Sequence, residues 1–210
     1  MKKFISIIAF VFLAALLTQG LDKKKPQQAF QIIPNQTADL NSGAVATAKQ
    51  KCENWALAAG LETMLARQGV ALDQSFWIMR LNHGELCVSP LPSMEKVAEV
   101  VNKEFVLDDG RHVQLEIHFT PGAPTNIDAV IAALKHQQVT VLIFRGHPYY
   151  LMGATYDEQI GREGLRRFLI KELRMANTFG GEPGVTFQRY REDTAEIDGV
   201  LSVSVAAAGR

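Results

Sequence analysis

The chain has 210 residues, 47% hydrophobic and 21% charged, with formal net charge zero, a balance that suits one well-buried globular domain and argues against two. No Lys/Arg cluster is interleaved with aromatics, so a nucleic-acid partner has no electrostatic footprint and that class is set aside. No internal repeat, Gly-rich phosphate loop, CxxC pair or HExxH helix occurs, and neither a cofactor nor a metal is expected.

Residues 1–20 read MKKFISIIAFVFLAALLTQG: paired lysines, an apolar run from Phe4 to Leu17, then small and polar residues. This is a signal-peptide pattern, and the run is short of the ~20 residues of a spanning helix. Export to the periplasm or the extracellular space is expected. Lys23 to Lys25 keep an uncleaved, membrane-anchored form as the alternative. Otherwise no membrane association is expected of the mature domain. Residues 21–48 mix Pro, Gln, Asn, Lys and small residues without sustained periodicity and are assigned as a linker or pro-segment, with Phe30, Ile32 and Ile33 able to lay a short strand on the domain. The domain itself is expected over 49–207.

In QKCENWALAAGLETMLARQG, Trp55, Ala56, Ala59, Leu61, Met64 and Leu65 recur at helical steps until Gly69 stops the helix. Cys52 stands at its head, where unpaired N–H groups and the helix dipole favour a thiolate below the free pKa of ~8.5. That makes it a candidate nucleophile. Cys87 is the other cysteine, and in an oxidising compartment the two also read as one structural bridge. Asp73 caps a second helix, QSFWIMRLN, and Ser93 a third, MEKVAEVVN.

At Lys103 the pattern turns to strand period. EFVL and RHVQLEIHF flank Asp108, Asp109 and Gly110, a hairpin signal, with Val113, Leu115, Ile117 and Phe119 alternating inward. His112, Gln114, Glu116 and His118 share the opposite face, which reads as a solvated polar face rather than a metal site. Thr125 and Asp128 open the helix NIDAVIAALKHQQ in the manner of a capping box. VTVLIF, PYYLMGATY, RFLIKELRMA and GVLSVSV follow as strands. Helices first and strands afterwards predict an α+β fold with the two halves side by side.

A cysteine nucleophile needs a base, and the base needs a group that orients its ring. His83 and His136 sit at helix ends, and His112 and His118 lie on the hairpin's polar face. His147, in RGHPYYLMG, stands at the turn between two apolar strands and is the candidate base. Asn177, where LIKELRMANTFGG leaves its strand, is the candidate orienting group.

Cys52-Glu53-Asn54-Trp55-Ala56, His147 through Gly153, and Asn177-Thr178-Phe179-Gly180 together resemble the papain-like cysteine peptidases. There a cysteine heads a long helix followed by Trp-Ala, a histidine begins a strand, and an asparagine sits in Asn-Ser-Trp-Gly. The likeness spans roughly Gln50 to Phe187 and looks closer to the compact bacterial branches, among them the peptidase domains of peptide exporters and secreted effector proteases. It implies a papain-like α+β fold, with the cysteine helix packed on an antiparallel β half. It also implies a peptide or protein substrate, a Cys52 thioester, His147 as general base and acid, Asn177 orienting it, and Phe179 as the aromatic shielding that bond. Gln50 is the nearest candidate for the side-chain oxyanion donor. In the superfamily Trp follows the cysteine directly, so alignment on Trp-Ala puts Asn54 at the nucleophile's position. This motivates a second reading, an inactive papain-fold binding protein with a Cys52–Cys87 disulfide. A third reading is Cys-dependent acyl transfer, because fold and triad do not fix what attacks the thioester.

Overall fold

The computed structural model describes residues 31–45, 49–82, 84, 87, 91–124, 127–178, 183–187 and 196–208. Within them the chain is α+β, as its order of helical and strand periods predicts. Helices α1 (Ala56–Ala66), α2 (Gln74–Asn82) and α3 (Met94–Val101) come first. The hairpin strands β2 (Glu104–Val106) and β3 (His112–Pro121) follow, then α4 (Ile127–Lys135). The remaining strands are β4 (Val141–Phe144), β5 (His147–Ile160), β6 (Arg166–Ala176), β7 (Pro183–Phe187) and β8 (Ile197–Ala207).

One antiparallel sheet holds the described strands in the order β2-β3-β8-β4-β5-β6-β7. An additional strand, β1 (Gln31–Asp39), pairs with the outer half of β5, from Gln31 opposite Ile160 to Asp39 opposite Gly153. The folded unit therefore begins before residue 49, and the assignment of all of 21–48 to a linker is corrected: Ala38 and Leu40 are buried in the common core. The reason lies in local chemistry. Pro34 and Asn35, at φ 53 for Asn35, break the strand's alternation and coincide with a register shift between Ile33 and Gln36. An outer strand tolerates that proline because its lost N–H need not face a neighbour.

The expected starts of α2 and α3 are present. Asp73 Oδ1 accepts from the Phe76 N–H at 2.8 Å, and Ser93 Oγ from the Lys96 N–H at 3.3 Å. Residues Thr125 and Asn126 lie outside the described residues, so the capping of α4 does too. Gly110, at φ 82, turns the β2–β3 hairpin with Val106 opposite His112. Phe76, Trp77 and Phe105 form an edge-to-face cluster with centroids 5.0 to 5.8 Å apart, fastening α2 to β2.

Helix α1 is the centre of the core. It packs on β5 and β8, while α4 lies along β1, β5 and β6. Leu57, Leu61, Met64 and Leu65 are buried, and at Gly60 a Cβ would come within 2.8 Å of Val141 Cγ2 on β4. A glycine in a helix interior ordinarily costs stability; here it lets the helix backbone close on the sheet.

Candidate functional site

The segment ahead of α1 is held by two buried glutamines. Gln74, 1% exposed, accepts from the Lys51 N–H at 3.0 Å and donates to the Lys49 carbonyl and to Glu62 Oε2, both at 2.8 Å. Gln50 donates its side-chain amide to the Cys52 carbonyl at 2.5 Å and to the Glu53 carbonyl. Its Oε1 accepts from the buried Thr178 hydroxyl, and its backbone N–H donates to the Thr178 carbonyl at 2.9 Å. Both amide protons of Gln50 are thus spent on the turn. The assignment of Gln50 as an oxyanion donor is corrected: the group that would have to face a substrate is tying the chain to itself.

Helix α1 starts at Ala56, with Trp55 as its N-cap at φ −95, ψ 16 and no side-chain capping bond. Cys52 is therefore not at the helix head. It sits in the preceding turn, where its carbonyl accepts from the Trp55 N–H at 3.0 Å. Trp55 is buried and sets the helix start, whereas Glu53 and Asn54 are exposed. Cys52 is bonded to Cys87 across a sequence separation of 35 residues with the Cα atoms 5.3 Å apart, and no cysteine is free. The expectation of a free thiolate at the helix N-terminus is corrected on both counts, because a disulfide sulfur holds no lone charge to be stabilised by helix N–H groups.

His147 opens β5, opposite Phe144, and its ring is exposed. Its Nδ1 donates to the Arg145 carbonyl at 2.9 Å, which leaves Nε2 as the acceptor of the neutral ring. Asn177 directly follows β6, whose last residue, Ala176, faces Tyr150. Continuing that register sets Asn177 beside Tyr149, so the start of β5 and the end of β6 adjoin. Thr178, bound to Gln50, brings the Cys52 turn to the same end of the sheet. The fold thus gathers the three candidate segments at one end of β5 and β6, but among the described residues no hydrogen bond joins His147 to Cys52. Phe179 lies outside the described residues.

Beneath this end, Tyr150 is fully buried, accepts from the Thr63 hydroxyl at 2.8 Å and donates to the Ala59 carbonyl at 3.1 Å. Burial pushes its phenol up to about 12, so at neutral pH it is a fixed neutral strut between β5 and α1. On the hairpin's polar face, His112 Nδ1 meets Glu104 Oε1 at 2.6 Å and His118 Nε2 lies 3.0 Å from Ser204 Oγ. Among the described residues no group of three or more His, Cys, Asp or Glu is placed to hold a metal ion.

Gln74 and Thr178 were not singled out by sequence reasoning. A lone glutamine in the first turn of a helix is a weak signal, since only the fold shows that the facing surface is the Cys52 turn. No protein-family model matches the chain, and neither a curated protein nor a solved structure matches it.

Proposed function

We propose that the protein is an exported, papain-like binding domain that performs no acyl chemistry in its oxidised state. The observation that carries this reading is the Cys52–Cys87 disulfide, which consumes the thiol that peptide hydrolysis requires. Two further features support it. Trp55, not Cys52, is the N-cap of α1, and the residue just before it, where alignment on Trp-Ala puts the nucleophile, is the exposed amide Asn54. The side-chain amide of Gln50 is saturated by backbone carbonyls and Thr178. The test is alkylation of the native mature protein followed by intact-mass measurement, alongside turnover of a fluorogenic peptide with and without an added amine. No alkyl adduct and no hydrolysis or transfer are expected; a labelled Cys52 with hydrolysis abolished by Cys52→Ala would overturn the reading.

A second reading is favoured by the gathering of strand ends. Gln50 and Thr178 hold the Cys52 turn at the end of the sheet where His147 and Asn177 stand. Reduction of the bridge by a dithiol would free Cys52. The Cys52 thiol would give its proton to His147, its thiolate would attack a peptide carbonyl, the amine would leave with that proton, and water or an amine would resolve the thioester. Under this reading, turnover appears on reduction and disappears in both Cys52→Ala and His147→Ala; a reduced protein that stays inactive removes it.

A further inference from the structure

At the opposite end of α1 from the disulfide lies a groove of about 730 Å³, within the roughly 300–1,000 Å³ usual for small-ligand sites. One wall is the polar face of β3 and β8, with His118, Thr120, Ser202 and Ser204. The other is α4 and the residue that follows it, with Ala129, Ala133 and His136. Val130, Val139 and Val200 supply apolar surface, and Arg67, which caps the C-terminus of α1, closes one end.

The charge on this lining is one-sided. Arg67 and two imidazoles line the groove and no carboxylate does; Glu116 and Asp128, on the wall elements, stay outside the lining. Arg111, Arg145, Arg166 and Arg174 each meet a carboxylate, whereas Arg67 takes part in no ion pair among the described residues. Helix C-termini account for the presence of Arg67 and of His136. They do not account for His118, which stands on a strand. There Nε2 lies 3.0 Å from Ser204 Oγ, and an imidazolium at this position would donate Nε2–H to Ser204 and Nδ1–H to an anion. Two of the three glutamines on the lining have their amide protons engaged. Gln68 donates to the Met64 and Val203 carbonyls, and Gln137 donates to those of Asp39 and Leu134.

We propose that this groove binds a small organic anion, a carboxylate or a phosphate monoester, with its charged group between Arg67 and His118 and its apolar body over Val130, Val200 and Ala133. Arginine suits either group because its planar fork pairs two oxygens at once. The site does not depend on the disulfide or on the papain-like reading, since none of its residues belongs to the segments gathered around Cys52.

The test is calorimetric titration of the oxidised mature chain with benzoate, phenyl phosphate and uncharged benzamide, probes that share a ring and differ in charge. At least one anion binds and benzamide does not, and which anion binds better identifies the headgroup. Arg67→Ala and His118→Ala each weaken binding by about tenfold or more, while Arg111→Ala, outside the groove, leaves it unchanged. The Arg67 and His118 side chains are exposed, so both variants fold, which a thermal melt checks. Absence of binding by both anions, equal binding of benzamide, or indifference to both substitutions would overturn the site.

Discussion

Tyr150 shows at a single residue how firmly α1 is seated on the sheet. Its phenol is displaced from 10.0 to about 12, chiefly by burial. A folded pKa above the unfolded one means that the unfolded chain loses this proton first. Stability is therefore complete below pH 10 and falls as pH rises toward 12. The fall is about 1.4 kcal/mol per pH unit, close to 3 kcal/mol across the window. Urea unfolding followed from neutral pH upward should show it, and Tyr150→Phe should have a flatter profile there. At neutral pH the same variant should be about 1–2 kcal/mol less stable, because Thr63 and the Ala59 carbonyl lose their partner. Equal slopes in the two proteins would show that the phenol is not shielded as the structure has it. At this scale the sequence is legible for apolar periodicity and poorly legible for polar partners. Cys52, His147 and Asn177 stand out as residue types in turns, and the fold does bring their segments to one end of the sheet. The residue type of Gln50 suits an oxyanion donor, but only the fold shows both of its protons used by the turn.

Among the elements, β1 is the most informative, because its sequence reads as a linker able to lay down only a short strand around Ile32 and Ile33, and its structure is a strand over Gln31–Asp39. Pairing with β5 buries Ala38 and Leu40 and sets Asp39 against Arg174 at 2.5 Å, where burial opposes the charge on Arg174 while Asp39 and Glu172 stabilise it. A chain starting at Asn41 loses these contacts and uncovers the outer half of β5. Relative to a chain starting at Leu21, it should be less stable by about 3 kcal/mol from the buried apolar surface of those residues. It should also associate through the bared edge. Thermal melting with light scattering measures both, and identical behaviour of the two chains would return β1 to the status of a tether. The other elements were more legible: α2, α3 and the β2–β3 hairpin fall where caps, period and Asp-Gly put them. The start of α1 was not. Cys52 and Trp55 both lie ahead of a good helical pattern, and the pattern itself does not say which turn stays outside. The burial of Trp55 and the pull of Gln50 on the Cys52 and Glu53 carbonyls decide it.

For the whole molecule the disulfide couples stability to compartment. It joins the turn ahead of α1 to the segment between α2 and α3, so the bridge closes 35 residues of the helical half onto themselves. Constraining a loop of that length in the unfolded chain contributes roughly 3–4 kcal/mol on the chain-entropy account. That gain exists only where thiols are oxidised, which is where the export proposed above would carry the chain. Two preparations test the linkage, each quenched by alkylation at harvest: the full chain recovered after export, and a chain starting at Leu21 retained in a reducing cytoplasm. The exported protein should begin near Leu21, carry no alkyl group and melt at the higher temperature. The retained protein should carry two alkyl groups, matching Cys52 and Cys87, and air oxidation of an unalkylated portion should restore the higher melt. An exported protein with both thiols free would break the link between leader and bridge and shift the balance toward the thiol enzyme. A retained protein as stable as the exported one would instead mean that Gln50, Gln74 and Thr178 hold the Cys52 turn without help from the sulfur bond.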